Sequence, residues 1–335
     1  MRILFFLPAS MQARCFRKSD LDRLTAGHEV VLSGAESDED LASLWRKHAA
    51  EMDCLVTGWS TPALTEVMLD KACRLQLIVH AAGSVKHLIP DSTWRRGIRV
   101  ASTRGALAIG VAETTLGLII SGLKGFFPAN ELTRDGGWKT APTDIGGARV
   151  RELFALTIGV IGASTAGRQL IRLLKAFEVR ICVHDPYLNS VEAEALGVEP
   201  VSLEQLLQIS DVISLHAPSL PQTRHMLDRK QFAAMKDNAI FINTARGTLV
   251  NESALIEELQ TKRIWAMLDV TDPEPPVADH PFRKLSNVVL LPHIAGAVAN
   301  GCYRMGRSAV NELLAFDSGE ALADELDESM LATMA

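Results

Sequence analysis

The stretch from Leu156 to Gly167 reads LTIGVIGASTAG, and it decides how the second half of the chain folds. Its apolar, β-branched run predicts a buried strand, and Gly162 and Gly167 predict a tight turn that leads into a helix. The spacing is that of the G-x-G-x-x-G turn of dinucleotide-binding folds, whose middle glycine lets the backbone approach a pyrophosphate. Ser164 occupies that middle position here, so the motif alone is a weak signal.

The residues that follow this turn strengthen the interpretation. A helix beginning near Thr165 would offer free N–H groups and the positive end of its dipole to a phosphate. The next apolar run ends at Asp185, about 20 residues beyond Gly162, where an acidic residue accepts the ribose hydroxyls and repels the 2′-phosphate of NADP. We therefore predict an NAD site in which Ser164 is tolerated, its hydroxyl donating a hydrogen bond to a phosphate oxygen.

Composition limits the class of protein. A length of 335 residues predicts about two domains, and 47% hydrophobic with 22% charged residues is typical of a soluble globular protein. A net charge of −6 without a basic run argues against nucleic-acid binding. Dispersed cysteines without a C-x-x-C pair predict reduced thiols, a cytoplasmic location and no metal site. These cysteines are Cys15, Cys54, Cys73, Cys182 and Cys302.

Two apolar stretches need a separate explanation. The N-terminal MRILFFLPAS has an apolar core that stops at Pro8, shorter than the roughly 7–15 residues of a signal peptide, so it predicts a first buried strand. The stretch from Ala106 to Gly122 contains Glu113 and is shorter than the ~20 apolar residues of a membrane span. We expect it to form a buried or interface helix and expect no membrane contact.

Short apolar runs alternate with helical patterns in two series, one on each side of that stretch. Continuous apolar strands between helices predict parallel sheets covered on both faces, so two series predict two doubly wound α/β domains. Helices are predicted at Asp38–Ala49 and Pro62–Lys71. The predicted strands are Ile3–Leu7, Glu29–Leu32, Cys54–Thr57, Leu75–Val79 and Ile98–Ala101, then Thr157–Ile161, Arg180–Val183, Val212–Leu215, Ala239–Ile242, Ala266–Asp269 and Val288–Leu290.

Ligands of open α/β sheets bind beyond the carboxyl ends of the strands, so the loops that follow strands should carry the chemistry. In the second series these loops hold Arg246 in INTARGTLVNE, Glu274 in LDVTDPEPP and His293 in LLPHIAGA. Histidine titrates near neutrality, which suits His293 as the proton donor to a carbonyl oxygen. Glu274 would orient that imidazole, and the planar guanidinium of Arg246 would bind a carboxylate and polarise the carbonyl.

Each of the three residues alone has an ordinary structural interpretation. A histidine can be a satisfied core residue, an arginine a structural ion pair and a glutamate a solvated loop acid. Their shared position on strand-end loops, downstream of a dinucleotide turn, favours the catalytic interpretation.

Together these motifs resemble the D-isomer-specific 2-hydroxyacid dehydrogenases, over nearly the whole chain. The ordered series INTARG, DPEP and PHIAG is the strongest signature, and VAE at 111–113 and SLHAPSLPQTRHML also match. The resemblance implies that Arg246, Glu274 and His293 form the active site. It also implies NAD contacts at Ser84, Gly162, Thr165, Ala166, Asp185, Ala217, Pro218, Thr244, Ala245, Asp269, His293, Ala295 and Gly296, to which the predicted site adds Ser164, Gly167 and Arg246.

The family architecture implies a Rossmann NAD-binding domain at residues 103–296, inserted into a flavodoxin-like substrate domain made of residues 1–102 and 297–335. Members are usually dimers, with the helix after about Arg104 at the interface, so we expect a homodimer. The loop AAGSVKHL would present the amides of Gly83, Ser84 and Val85 to the substrate carboxylate, although it lacks the aspartate that many members carry there. We expect the regulatory domain of some phosphoglycerate dehydrogenases to be absent beyond residue 335.

The predicted function is the NAD-dependent interconversion of a D-2-hydroxy acid and its 2-keto acid, with glyoxylate or hydroxypyruvate reductase as candidates. A phosphoglycerate dehydrogenase without a regulatory domain and a non-enzymatic NAD-sensing module are the alternatives. Glu274 speaks against formate dehydrogenase-like chemistry, because that subgroup pairs its histidine with an amide. Trp59, in TGWSTP, either lines the substrate pocket with Gly83–Val85, Arg246 and His293 or is a partly buried packing residue. A phosphate substrate would need a cluster of basic residues. The clustered arginines are expected to lie at the solvated surface instead: Arg95, Arg96, Arg99 and Arg104.

Overall fold

The computed structural model describes residues 1–138, 144–145 and 148–334. The described chain divides into two compact units. Unit 1 consists of Met1–Ala108 and Ala297–Met334, and unit 2 consists of Ile109–Gly296. The chain passes from one unit to the other inside a long helix and again between Gly296 and Ala297. The first passage lies a few residues beyond position 102, because Ala106 packs into a core of unit 1.

Unit 1 is built on a six-stranded sheet in the order β2-β1-β3-β4-β5-β15. The first five strands are parallel, and β15 is antiparallel to β5. This order is that of flavodoxin-like sheets, with one added edge strand. The strands are β1 (Arg2–Phe5), β2 (Glu29–Val31), β3 (Cys54–Gly58), β4 (Leu77–Ala81), β5 (Arg99–Ser102) and β15 (Glu325–Leu326).

Helices cover both faces of this sheet because apolar residues of its strands point to both sides. In β1, Ile3 and Phe5 belong to a core that includes Leu313, whereas Leu4 belongs to a second core that includes Trp45. The helices are α1 (Ala9–Cys15), α2 (Lys18–Thr25), α3 (Asp38–His48), α4 (Glu66–Lys71), α5 (Ser92–Arg95) and, near the C-terminus, α13 (Asn300–Asp317).

The helix predicted from Pro62 begins only at Glu66. Thr65 is its N-cap, and the Thr65 hydroxyl accepts a hydrogen bond from the N–H of Met68 at 3.2 Å. A side-chain acceptor at this position satisfies a donor of the first helical turn, so the start of α4 is fixed there.

Unit 2 is built on a seven-stranded parallel sheet in the order β10-β9-β8-β11-β12-β13-β14. The order runs outward in both directions from β8, as in Rossmann folds. The prediction of two doubly wound parallel-sheet domains is therefore confirmed. The strands are β6 (Asp144–Ile145) and β7 (Ala148–Arg149), which form a separate hairpin, then β8 (Thr157–Ile161), β9 (Arg180–His184), β10 (Glu199–Pro200), β11 (Val212–Leu215), β12 (Ile240–Asn243), β13 (Trp265–Leu268) and β14 (Val288–Leu290).

The sheet of unit 2 also has a core on each face. In β12, Phe241 packs into one core, and Ile240 and Ile242 pack into the other. The helices are α6 (Arg104–Leu123), α7 (Phe126–Arg134), α8 (Thr165–Leu174), α9 (Ser190–Leu196), α10 (Leu203–Ile209), α11 (Arg229–Ala233) and α12 (Glu252–Gln260).

Helix α6 is long and apolar enough to cross a membrane by length and composition alone. Core helices of globular proteins pass the same test, so packing must decide. Ala112, Leu118, Ile119 and Leu123 all belong to one core of unit 2. The helix is therefore a packed element of the domain.

Candidate active site

The strand order of unit 2 reverses between β8 and β11, and the loops after these two strands meet there. Gly162 has φ +97°, and a Cβ at this position would lie 2.7 Å from the backbone nitrogen of Ala217. A Cβ on Gly167 would lie 2.1 Å from the carbonyl oxygen of Gly162. Both glycines are thus required by close backbone packing, and the turn leads directly into the N-terminus of α8.

Ser164 is the N-cap of α8, and its Oγ accepts a hydrogen bond from the N–H of Gly167 at 3.3 Å. This role uses an acceptor lone pair and leaves the hydroxyl proton free to donate. Asp185 stands at the end of β9, where its Oδ2 accepts from the N–H of Ala163 at 2.7 Å and its Oδ1 accepts from the N–H of Tyr187 at 2.8 Å. The turn, the free helix N-terminus and this fixed carboxylate fit a dinucleotide.

The remaining predicted NAD contacts of unit 2 lie on loops at the carboxyl edge of its sheet. Thr165 and Ala166 begin α8 after β8, Ala217 and Pro218 follow β11, and the others follow β12, β13 and β14. Asp269 is 1% exposed, and its carboxylate accepts from the N–H groups of Ile294 at 2.8 Å and Ala295 at 2.9 Å. Asp269 therefore fixes the loop that carries His293. The residues at this edge also include Thr165, Ala166, Thr244, Ala245 and Gly296. Their individual contacts to NAD stay predictions.

Glu274 and His293 are brought together by loops that follow neighbouring strands. Nδ1 of His293 contacts Oε1 of Glu274. An ionised carboxylate only accepts hydrogen bonds, so Nδ1 carries the proton of this contact and Nε2 is left to exchange a proton with another group. The side chains are 47% and 40% exposed, respectively, so the pair is open to small molecules.

Arg246 lies beyond the end of β12, next to this pair. Partial desolvation lowers the pKa of the Arg246 guanidinium, and the negative charge of Glu274 opposes that effect. Arginine stays protonated under such conditions, so the site holds a cation, a carboxylate and an imidazole together. The structure thus brings the three predicted catalytic residues into one electrostatic environment.

Asn243, the last residue of β12, holds the Arg246 loop. Its Nδ2 donates to the carbonyl of Arg246 at 2.9 Å, and its Oδ1 accepts from the N–H of Ala245 at 3.0 Å. Sequence reasoning missed this residue, although a polar side chain that ends the apolar run AIFIN was a usable signal.

A cavity of about 350 Å³ borders the Glu274–His293 pair. Its polar lining includes Asp269 and Thr271, and its apolar wall is formed by Pro275, Pro276, Leu290, Leu291 and Pro292. No cluster of three or more His, Cys, Asp or Glu side chains suited to a metal ion occurs in the part of the chain that the structure describes.

The predicted substrate residues Trp59, Gly83, Ser84 and Val85 belong to unit 1. Trp59 follows β3, and residues 83–85 follow the neighbouring parallel strand β4, so both loops lie at the carboxyl edge of that sheet. Trp59 packs against a core of unit 1, and the Arg14 guanidinium lies over its ring at 5.5 Å. Their contact with a substrate stays a prediction.

Three of the four clustered arginines of unit 1 already have carboxylate partners. Arg96 donates to Asp70 at 2.6 Å, Arg99 donates to Glu325 at 2.6 Å, and Arg104 lies 3.6 Å from Asp324. These ion pairs agree with the expected surface role and reduce the positive charge available for a phosphate.

The chain matches the family model described as "D-isomer specific 2-hydroxyacid dehydrogenase, NAD binding domain" over residues 116–295. It is 34% identical over 275 residues to a glyoxylate reductase of Korarchaeum cryptofilum, with 81% of each chain covered. It is 33% identical over 307 residues to a D-3-phosphoglycerate dehydrogenase of Methanocaldococcus jannaschii, covering 91% of this chain but 55% of that one. The chain thus spans little more than half the length of that second relative.

A crystal structure of a phosphoglycerate oxidoreductase from Rhizobium etli superimposes with a TM-score of 0.83 at 27% identity, covering 98% of both chains. Fold and site together define an NAD-dependent oxidoreductase with a Rossmann domain. The chain belongs to the D-isomer specific 2-hydroxyacid dehydrogenase family. The family, the fold and the NAD cofactor predicted from the sequence are therefore confirmed.

Proposed function

We propose that the protein reduces a small 2-keto acid to the D-2-hydroxy acid with NADH, and catalyses the reverse oxidation. The observation that carries this proposal is the contact between His293 and Glu274 beside the guanidinium of Arg246. An imidazole held by a carboxylate, next to a cation, is the set of groups that protonation of a keto acid carbonyl requires.

The residues divide the chemistry as follows. NADH, when bound at the turn after β8, supplies the hydride. Arg246 binds the substrate carboxylate and polarises the keto oxygen. His293 donates a proton from Nε2 to that oxygen during reduction and accepts it during oxidation, while Glu274 holds Nδ1–H and stabilises the imidazolium. The amides of Gly83, Ser84 and Val85 are proposed to bind the carboxylate from unit 1.

We propose glyoxylate or hydroxypyruvate as the substrate. The similarity to a glyoxylate reductase over four-fifths of both chains supports a small keto acid. The phosphoglycerate alternative has support from the longer relative, but three of the four clustered arginines of unit 1 are already engaged by Asp70, Glu325 and Asp324.

A homodimer in the cytoplasm is also part of the proposal. Unit 2 exposes several large apolar side chains in the segment around and after α7, and exposed apolar surface is typical of protein interfaces. The five cysteines are free thiols, which suits a reducing compartment. The exposed side chains are Phe126, Phe127, Trp138 and Phe154.

The proposal is tested by following NADH absorbance at neutral pH with glyoxylate, hydroxypyruvate, pyruvate, phenylpyruvate and phosphohydroxypyruvate. NADPH and the His293→Ala protein are run in parallel. Turnover with NADH that is lost in the variant supports the proposal and ranks the substrates. Binding of NADH without turnover of any acid would favour the NAD-sensing alternative.

A further inference from the structure

The loop between β13 and β14 carries Glu274, and both sides of this loop meet one largely buried carboxylate. Glu252 is the first residue of α12, and its side chain is 13% exposed. Its Oε1 accepts a hydrogen bond from the N–H of Asp272 at 2.9 Å, just before Glu274. Its Oε2 lies 3.2 Å from Nε2 of His280, beyond Glu274. One side chain therefore bridges the chain on either side of the residue that contacts His293.

The His280 end of this bridge is anchored in the core. Nδ1 of His280 accepts from the N–H of Phe282 at 3.4 Å, so Nε2 carries the ring proton and donates it to Glu252. The rings of His280 and Phe282 pack with centroids 4.7 Å apart, and Phe282 is 2% exposed. The ring of His280 is thus held in one orientation, and its Nε2–H donates to Glu252.

The Asp272 end of the bridge lies against the loop that carries Arg246. A Cβ on Gly247 would lie 2.1 Å from the carbonyl carbon of Thr271 and 2.6 Å from the nitrogen of Asp272. The backbone before Glu274 therefore rests directly on the backbone after Arg246. Holding Asp272 in place fixes the spacing of these two loops.

We propose that Glu252 is a positioning residue of the active site, which holds the Glu274 loop by bridging Asp272 and His280 and so keeps Glu274 against His293. Its kinetic consequence rests on the function proposed above. Without the carboxylate, the N–H of Asp272 and the Nε2–H of His280 would both lack an acceptor in a largely buried place, and the loop would rearrange to satisfy them.

The Glu252 carboxylate and the His293 imidazole each face other charged groups. Glu252 faces His280 and the Asp272 carboxylate, which itself lies 3.8 Å from Arg224. His293 faces Glu274, with Arg246 acting on Glu274 and Asp269 occupied by backbone donors. Arg283 lines the same cavity, where its guanidinium donates to the carbonyls of Val277 and Pro276. When Glu252 is altered, we therefore expect Glu274 to be displaced, and this displacement to change the titration of the His293 imidazole.

The test compares Glu252→Ala and Glu252→Gln with Glu257→Gln, a control on the same helix whose carboxylate pairs with Arg229 at the surface. Two quantities are measured in each protein. The first is kcat for keto acid reduction. The second is the titration midpoint of the His293 imidazole by NMR, assigned by its absence in His293→Ala.

We expect Glu252→Ala to lower kcat about tenfold to a hundredfold, as small misplacements of catalytic groups do. It should move the His293 titration in the same direction as Glu274→Gln does, with the KM for NADH unchanged. Glu252→Gln keeps one acceptor and should fall between Glu252→Ala and the wild type. Glu257→Gln should match the wild type.

A Glu252→Ala protein of lower Tm but wild-type kcat and wild-type His293 titration would overturn the proposal. If Glu252→Ala does not fold, Glu252→Gln decides by the same two readouts. If the wild type reduces no keto acid, the proposed function fails, and the titration alone still decides the positioning role.

Discussion

The backbone of His293 has φ +54°, a left-handed conformation that residues other than glycine rarely adopt. Such conformations cost on the order of 1–3 kcal/mol and persist where the surroundings enforce them. Here Asp269 enforces it. Its carbonyl accepts from the N–H of His293 at 2.9 Å, and its carboxylate accepts from the next two N–H groups. The strained turn aims the imidazole at Glu274.

Replacing Glu274 by Gln removes the negative charge beside His293. We expect kcat for reduction to fall about tenfold to a hundredfold, because the uncharged amide stabilises the imidazolium less. For the same reason the alkaline limb of the pH–rate profile should move to lower pH. Asp279→Asn, an exposed acid of the same loop, is the control. An unshifted profile in Glu274→Gln would contradict the role assigned to this carboxylate.

Replacing Trp59 tests whether unit 1 contributes to substrate selection. Trp59→Ala is expected to change the relative KM values of glyoxylate, pyruvate and phenylpyruvate more than it changes the Tm, because a pocket wall discriminates by side-chain size. KM values and thermal unfolding are measured on the same preparation. Equal losses for every keto acid would show that Trp59 serves packing instead.

At the scale of elements, Ser164 connects the NAD turn to α8. Ser164→Ala should destabilise unit 2 by about 1 kcal/mol because the N-cap acceptor is lost, whereas Ser164→Gly should cost only a few tenths. The measurement is urea unfolding of both variants, with NADH affinity by titration. Equal stability of the two variants would contradict the capping role that the 3.3 Å hydrogen bond indicates.

Strands could be predicted where a continuous apolar run is bounded by turn residues. Thr157–Ile161, Val212–Leu215 and Val288–Leu290 have the predicted bounds, because apolar β-branched runs end at clear turn residues. The two-residue strands β10 and β15 were not predicted, since pairing at a sheet edge leaves almost no periodic signal. The start of α4 was predicted four residues too early, because the N-cap is Thr65.

The active site could be predicted only in part, because some of its residues lie outside any distinctive sequence pattern. Arg246, Glu274 and His293 stand beside strand ends and in distinctive motifs, so their roles could be inferred. Glu252 and His280 lie on a helix start and in a loop where acids and histidines are common. Only the folded chain brings them to the two sides of the Glu274 loop.

Each of the two units contains a buried histidine. Burial lowers the pKa of His80 in unit 1 and of His216 in unit 2 to about 4. Both would titrate near 6.5 in the unfolded chain, which binds more protons between pH 6.5 and 4. The free energy of unfolding should therefore fall as the pH drops through that window, by at most about 3 kcal/mol per histidine.

Urea unfolding at pH 7 and pH 5 measures this dependence. His80→Gln should flatten the loss of stability of unit 1 on acidification, because the group that gains the proton on unfolding is gone. His87→Gln, at an exposed histidine of the same unit, should leave it unchanged. A stability that does not change between these pH values would contradict the burial of neutral histidines.

In the proposed reaction, NADH bound by unit 2 transfers hydride to a 2-keto acid while His293 supplies the proton. The most direct measurement uses NADH deuterated at the transferred position of nicotinamide C4 with glyoxylate or hydroxypyruvate, and detects the product by mass spectrometry. We expect deuterium at C2 of the 2-hydroxy acid in the wild type, and a rate lower by about a hundredfold or more in His293→Ala. An NADH-bound wild type that forms no labelled product would overturn the proposed hydride transfer, and a His293→Ala protein that forms it at the wild-type rate would overturn the role of His293.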